Sequence, residues 1–193
     1  MHPYSLDNQL RKWIYIVISC ISISVPIYFD VLMKFLGFEY ISFTLSFGIT
    51  FGILFFLVDK YLWKTFKFLN MIPNLEGKWM VSGISSFQDE NGNNYKFNME
   101  IEIKQTLTSI EIFAETQDST SKSTMASIEM NHSKAIFRYT FENTPKNMSN
   151  DELQRHPGMM ELRINSTEDM SGDYFSGKHR LRYGELQFKK VNK

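Results

Sequence analysis

Two apolar segments without a single charge, Trp13–Phe29 and Tyr40–Val58, stand close together near the start of this 193-residue chain, and no comparable run follows them. At 17 and 19 residues they approach the roughly 20 apolar residues that a helix needs to cross a bilayer. The first run lengthens if it continues through Asp30 to Phe35. The pattern predicts two transmembrane helices, residues 13–35 and 40–58, in a membrane region of residues 1–70, followed by one domain over residues 71–193. Arg11 and Lys12 ahead of the first run would also suit a signal peptide, but the run exceeds a usual signal core and no small-x-small cleavage pattern separates it from the second.

Positive charge sets the expected orientation. Arg11 and Lys12 precede the first helix and Lys60, Lys64 and Lys67 follow the second, whereas the connection holds Lys34 against Asp30 and Glu39. By the positive-inside rule both termini face the cytoplasm and the following domain is cytosolic. Trp13, Tyr40, Tyr61 and Trp63 suit the ends of the spans, where an amphipathic ring sits at headgroup level. The single cysteine, Cys20, falls inside the first run, which leaves no disulfide framework and no cysteine zinc site.

From Met71 onward 15 Lys and Arg stand against 17 Asp and Glu, so the domain lacks the basic surface of a protein that binds long nucleic acid. Lys178–Lys193 is locally basic, with Lys178, Arg180, Arg182, Lys189, Lys190 and Lys193 facing only Glu185. That stretch reads either as a solvated strand end or as a rim that contacts an anion.

The periodicity of the domain is that of strands. Met99, Ile101 and Ile103 alternate with Glu100, Glu102 and Lys104, and Phe137, Tyr139 and Phe141 alternate with Ile136, Arg138, Thr140 and Glu142. Further strands are expected at 75–86, 109–116, 124–131, 159–165, 173–175, 179–183 and 185–191, with turns at Glu90–Asn94 and Asp169–Gly172. Roughly eight short antiparallel strands argue for an up-and-down barrel, which removes exposed edges, over a sandwich. Asn143–Gly158, with Pro145 and Pro157, is the longest expected interruption.

No catalytic motif emerges: there is no Walker loop, no Gly-x-Gly-x-x-Gly, no His-Glu-x-x-His and no Gly-x-Ser-x-Gly. His2, His132, His156 and His179 lack metal-ligand spacing. The chain therefore reads as a non-enzyme without metal or cofactor, although a hydrolase with an unrecognised carboxylate site is a competing class. In the second span Thr44, Gly48 and Gly52 form a small-residue row, which permits close helix packing within one hairpin or between protomers. Ser19, Ser22 and Ser24 offer a polar stripe on the first, and Pro26 weakens that helix near Asp30.

Two N-terminal apolar helices run into Pro73-Asn74-Leu75-Glu76-Gly77-Lys78-Trp79. A β-rich domain then carries Gln105-Thr106-Leu107-Thr108, a Ser/Thr-rich turn at 119–124, Tyr139 through Asn143-Thr144-Pro145, His156-Pro157-Gly158 and Gly172-Asp173-Tyr174-Phe175. In this arrangement the chain resembles the two-helix β-barrel effectors of bacterial CBASS antiphage defence. The resemblance implies a barrel that senses a cyclic dinucleotide, or another cyclic oligonucleotide, made by a partner nucleotidyltransferase. It further implies homo-oligomerisation, contact with membrane lipid, disruption of the bacterial inner membrane and cell death. Asn74 to Trp79 is also similar to the Gly-x-Trp start of lipocalin-type barrels, which implies instead a membrane-anchored carrier of a lipid or another hydrophobic small molecule. On either reading Gly77 permits a tight turn into the barrel and Trp79 plugs one end.

A dinucleotide needs phosphate donors and aromatic faces. Arg138, Arg163, Arg180 and Arg182 are candidates to pair with phosphate, Tyr139, Tyr174 and Tyr183 to stack on bases, and Thr106, Thr108, Ser121 and Ser123 to supply hydroxyls.

Overall fold

The computed structural model describes residues 1–7, 10–37, 47–65, 72–88, 91–116, 118–131, 134–146, 155–177 and 182–191. The chain divides into two compact units, Asn8–Met71 and a second made of Met1–Asp7 together with Ile72–Lys193. The first seven residues, expected in the membrane region, thus belong with the β-domain.

In the helical unit the uninterrupted apolar run folds as α1 (Leu10–Phe35), which continues through Pro26. Its 26 residues reach about 39 Å at 1.5 Å per residue, more than a hydrocarbon core of about 30 Å. The serine stripe is satisfied internally: the hydroxyls of Ser19, Ser22 and Ser24 donate to the carbonyls of Tyr15, Ile18 and Cys20 at 2.7–2.9 Å, so none needs an external partner in lipid. Asp30 is offset by Lys34 one turn on, at 2.8 Å.

The second helix, α2 (Phe47–Lys60), has 14 residues and leads to a 3₁₀ turn at Leu62–Lys64. Tyr15 of α1 meets Phe55 of α2, with ring centroids 5.9 Å apart. Among the described residues α1 is the one helix long and apolar enough to cross a membrane; most of the N-terminal part of the expected second span, including Thr44, lies outside them. A Cβ added at Gly48 or Gly52 would meet nothing within 4 Å, so these glycines do not form the packing surface between α1 and α2.

The other unit is an eight-stranded antiparallel barrel. Two short N-terminal strands, β1 (His2–Pro3) and β2 (Ser5–Asp7), precede β3 (Gly77–Gln88), β4 (Asn94–Gln105), β5 (Ser109–Glu115) and β6 (Ser119–Asn131). After these come β7 (Lys134–Pro145), β8 (His156–Ile164), β9 (Asp169–Ser176) and β10 (Arg182–Lys190). From β3 to β10 each strand pairs with the next, and β10 returns to β3 with Leu186 opposite Gly83. This is the up-and-down closure expected from the alternation.

Four expectations are corrected. The stretch 119–124 is the first half of β6 rather than a turn. Residues 169–172 open β9, the turn being Asn165–Glu168, where Asn165 and Ser166 donate to the Asp169 carbonyl. No break separates the end of the strand expected at 179–183 from the one expected at 185–191, because Gly184 is held inside β10 opposite Ser85 and Tyr174, while residues 179–181 lie outside the described residues. The interruption at 143–158 is shorter at both ends, since Asn143 pairs with His156 and Phe141 with Gly158.

Side chains pointing inward form the core, and one end of the barrel is filled by them. Trp79, Ile101, Ile103, Ile110, Phe137 and Phe188 are almost wholly buried there. Trp79 donates its indole N–H to the Leu75 carbonyl at 2.8 Å and meets Phe188 edge-on, which fits the plugging role expected of it. Gly77, at φ +134°, makes the turn into β3 in a conformation that other residues rarely adopt. Gln105, buried at the same end, accepts the Leu75 N–H (2.8 Å) and donates to the Pro73 carbonyl and the Tyr4 hydroxyl. It thereby ties three separate chain segments into the closed end.

Candidate ligand-binding site

The parity that buries Trp79 and Val81 on β3 continues inward to Gly83 and Ser85, and on β4 it runs back from Ile103 and Ile101 through Met99 to Phe97 and Tyr95. On β7, Phe137 and Tyr139 are followed by Phe141 and Asn143. Each strand thus passes from large or branched, fully buried side chains at the closed end to small, polar or less buried aromatic ones at the other. The result is an open mouth with a cavity of about 510 Å³, inside the range of roughly 300–1,000 Å³ typical of small-molecule sites.

Glycines make room for the aromatic lining. Phe97 lies across the ladder from Gly83, Phe141 from Gly158 and Tyr174 from Gly184. A Cβ at any of the three would overlap the facing ring, so each ring lies against a bare backbone. Phe97 meets Tyr174 edge-on at 5.9 Å, and Tyr95 stacks on Phe97 at 6.4 Å. Arg182 enters the same wall, its guanidinium 4.2 Å from the centre of the Phe87 ring. Among the described residues no carboxylate pairs with it. Its hydrogen-bond donors therefore remain available to an anion while the aromatic face fixes the plane.

Polar groups complete the opposite wall. The Asn143 amide donates to Ser119 Oγ at 3.0 Å and to Ser121 Oγ at 2.9 Å, and among the described residues its buried Oδ1 has no donor. His156 is buried beside Asn143 in the ladder, and Ser176 and Ser85 are buried on the Arg182 side of the mouth.

A larger recess of about 690 Å³ lies on the outer face of the same strands, bordered by Ser82, Ile84, Asn98, Arg163, Asp173 and Glu185. The mouth is the better candidate, because it combines buried polar groups, aromatic faces and a cation that has no acidic partner among the described residues.

Of the residues singled out from sequence, Ser121, Tyr174 and Arg182 come together in the mouth. Arg163 borders the outer recess, and Tyr183 is exposed. Arg138 points outward between Glu129 and Glu161, with Nε 2.7 Å from Glu161 Oε2; hydrogen bonds to Glu161 and then Glu129 raise its pKa. Tyr139 is a core residue whose hydroxyl meets Met160 Sδ at 2.7 Å, and burial pushes its phenol pKa up. Thr106 and Thr108 lie in the β4–β5 turn at the closed end, where Thr106 Oγ1 accepts the N–H groups of Thr108 and Ser109. Ser123 is buried at the fork between β5 and β6, accepting the Ile112 N–H at 2.9 Å. Arg180 lies outside the described residues. Sequence reasoning overlooked Phe97, Phe141, Asn143 and His156, although polar residues that continue an inward parity past an apolar run were a readable signal.

Residues 70–190 match the family described as the Cap15 cyclic dinucleotide receptor domain. Similar proteins include a CD-NTase-associated protein 15 of Yersinia aleksiciae, 34% identical over 140 residues that take in 69% of this chain and 64% of the relative. A protein of the same name from Staphylococcus schleiferi is 28% identical over 129 residues, 67% of each chain. The matched segment thus spans about two thirds of the length of these relatives. With that match across most of the barrel, the chain belongs to the Cap15 cyclic dinucleotide receptor domain family of CBASS effectors.

Proposed function

We propose that the mouth of the barrel binds a cyclic dinucleotide made by a partner nucleotidyltransferase, and that binding triggers oligomerisation of a two-span inner-membrane anchor and loss of membrane integrity. The observation that carries the ligand reading is that Arg182, which lies over the Phe87 ring and has no acidic partner among the described residues, lines the same mouth as the edge-on pair Phe97 and Tyr174. A cyclic dinucleotide presents the matching chemistry: two phosphates for a planar donor and two bases for ring faces. The lipid-carrier reading fits less well, because apolar side chains already fill the closed end and the remaining space sets Arg182, Asn143, His156 and serines among its aromatic and apolar lining.

Two crossings are supported by chain connectivity. Met1–Asp7 is built into the same unit as Ile72–Lys193, which supports a chain path that leaves from and returns to one side of a membrane. One crossing by α1 then requires a second. The excess of Lys and Arg flanking the helices favours the cytoplasmic side for that unit.

Thermal denaturation of the full chain in detergent micelles tests the ligand. A cyclic dinucleotide at a hundredfold excess over Kd should add about 2.7 kcal/mol of apparent stability. No shift with any cyclic di- or trinucleotide, together with a shift by fatty acids, would transfer the assignment to a lipid carrier. For the membrane part, Gly48→Leu and Gly52→Leu should leave insertion and ligand binding intact while reducing crosslinked oligomers and toxicity, since both glycines are open on the surface of α2. Unchanged oligomers and killing at equal expression would remove that face from the assembly.

A further inference from the structure

The weakest junction of the barrel lies between β5 and β6. Their direct pairing is confined to Phe113–Glu115 against Thr120–Lys122, and the irregularity at Ser123–Met125 then carries β6 away from β5. Toward the closed end the two strands would present unpaired edges to each other. The chain's own N-terminus occupies that cleft: His2 and Pro3 pair antiparallel with Ile110 and Ser109 of β5, while Ser5, Leu6 and Asp7 pair parallel with Ser127, Ile128 and Glu129 of β6.

Between these two short strands Tyr4 is buried in the core, with its hydroxyl reached by the Gln105 amide at 3.3 Å. At the fork a single hydroxyl joins all three strands, for Ser123 Oγ accepts the Ile112 N–H at 2.9 Å and lies 2.8 Å from His2 Nε2. The residues that hold the seam above this fork also line the mouth: Ala114 and Ser121 face each other across it, with Thr116 and Ser119 adjoining.

We propose that the β5–β6 cleft is a strand-binding groove whose occupant is Met1–Asp7, and that a ligand in the mouth displaces this segment and so reports occupancy of the cavity to α1. The trigger rests on the ligand reading above. A ligand that widens the mouth opens the barrel first where its ladder is shortest, and the same opening removes the pairing on which β1 and β2 depend. The displaced segment is joined directly to the membrane unit, since α1 begins at Leu10, three residues beyond Asp7. Edge pairing of this kind supplies main-chain affinity in many strand-addition sites, and here two edges and one buried tyrosine hold seven residues.

Coupling between the groove and the mouth is reciprocal, so it is measurable without ligand. In hydrogen exchange on the full chain in micelles, His2→Ala and Leu6→Ala should accelerate the seam amides of Ile112–Glu115 and Thr120–Ser123 by about tenfold or more. The β8–β9 ladder should be unchanged. Seam amides that stay at the parent rate in both variants, or that accelerate no more than every other ladder, would overturn the groove. With a cyclic dinucleotide that raises the melting temperature, the amides of Ser5–Asp7 should exchange faster, and equal or slower exchange at saturation would overturn the displacement. If no cyclic dinucleotide raises the melting temperature, the ligand reading falls and the displacement with it, while the variant arm still decides the groove.

Discussion

The two ends of this barrel are built on the same eight strands and serve opposite purposes. At the closed end the inward positions are Trp79, Ile101, Ile103, Ile110, Phe137 and Phe188, packed until almost no surface is left to solvent. At the mouth the same parity delivers Gly83, Ser85, Gly158, Ser121, Asn143 and Arg182. Burial of large apolar groups is the main source of folding free energy, so the closed end stabilises a frame on which the mouth can keep open space and polar groups. The contrast teaches that binding residues here are found by following each core-facing stripe past the point where it stops being apolar.

The comparison breaks if the closed end does not dominate stability. Trp79→Ala should cost about 3–5 kcal/mol, the range for removing a large buried ring, as read by chemical denaturation. Asn143→Ala at the mouth should cost clearly less. Equal costs would mean that the two ends are not energetically distinct.

The next largest effect belongs to ligand binding. Arg182→Ala should leave the melting temperature of the free protein near that of the parent. It should weaken the cyclic dinucleotide by about 1.5–3 kcal/mol, the worth of a charge-assisted hydrogen bond, or roughly tenfold or more in Kd by titration calorimetry. Unaltered affinity would place the phosphate elsewhere.

Arg138→Ala supplies the contrast. Arg138 is held on the outer face by Glu129 and Glu161 with 30% of its side chain exposed, so its loss should cost below about 1 kcal/mol of stability and leave ligand affinity alone. A large loss of binding by this variant would move the site from the mouth to the outside of the barrel.

The smallest effect is pH-dependent. Glu111 on β5 bonds Lys122 on β6 at 2.7 Å, and that hydrogen bond is the chief reason its carboxyl titrates below the ordinary range. A folded-state pKa below the unfolded one adds stability that is complete above the unfolded value and is lost as pH falls through the folded value. Acidification below the usual carboxylate value should therefore weaken the parent more than Lys122→Ala, by less than about 1 kcal/mol because Lys122 is largely exposed. Identical acid profiles for the two proteins would remove this pair from the seam's stability.

Much of the architecture was legible from local pattern. A run of uncharged residues specifies an apolar helix through composition alone, and α1 follows it. Alternation at Met99–Ile103 and Phe137–Phe141 specifies two-faced strands, because successive side chains in a strand point to opposite sides; β4 and β7 follow it as well. Local chemistry misled where glycine sat inside a strand: Gly172 read as part of a turn and Gly184 as the break between two strands, yet both are paired in ladders.

The sequence by itself determined the apolar helix, the strand periodicity and the plug at Trp79, since each is carried by residues close together in the chain, and the family resemblance, which is carried by the order of motifs along it. The tertiary structure alone decided which polar residues share a cavity. Tyr139, Arg138 and Ser121 looked equivalent as candidates, but parity and closure send the first into the core, the second to the outer surface and the third to the mouth. It also decided the role of Met1–Asp7, whose partners Ile110 and Ile128 lie more than 100 positions away. Strand pairing at that distance is set by which edges the closed barrel leaves open, and no local propensity records it.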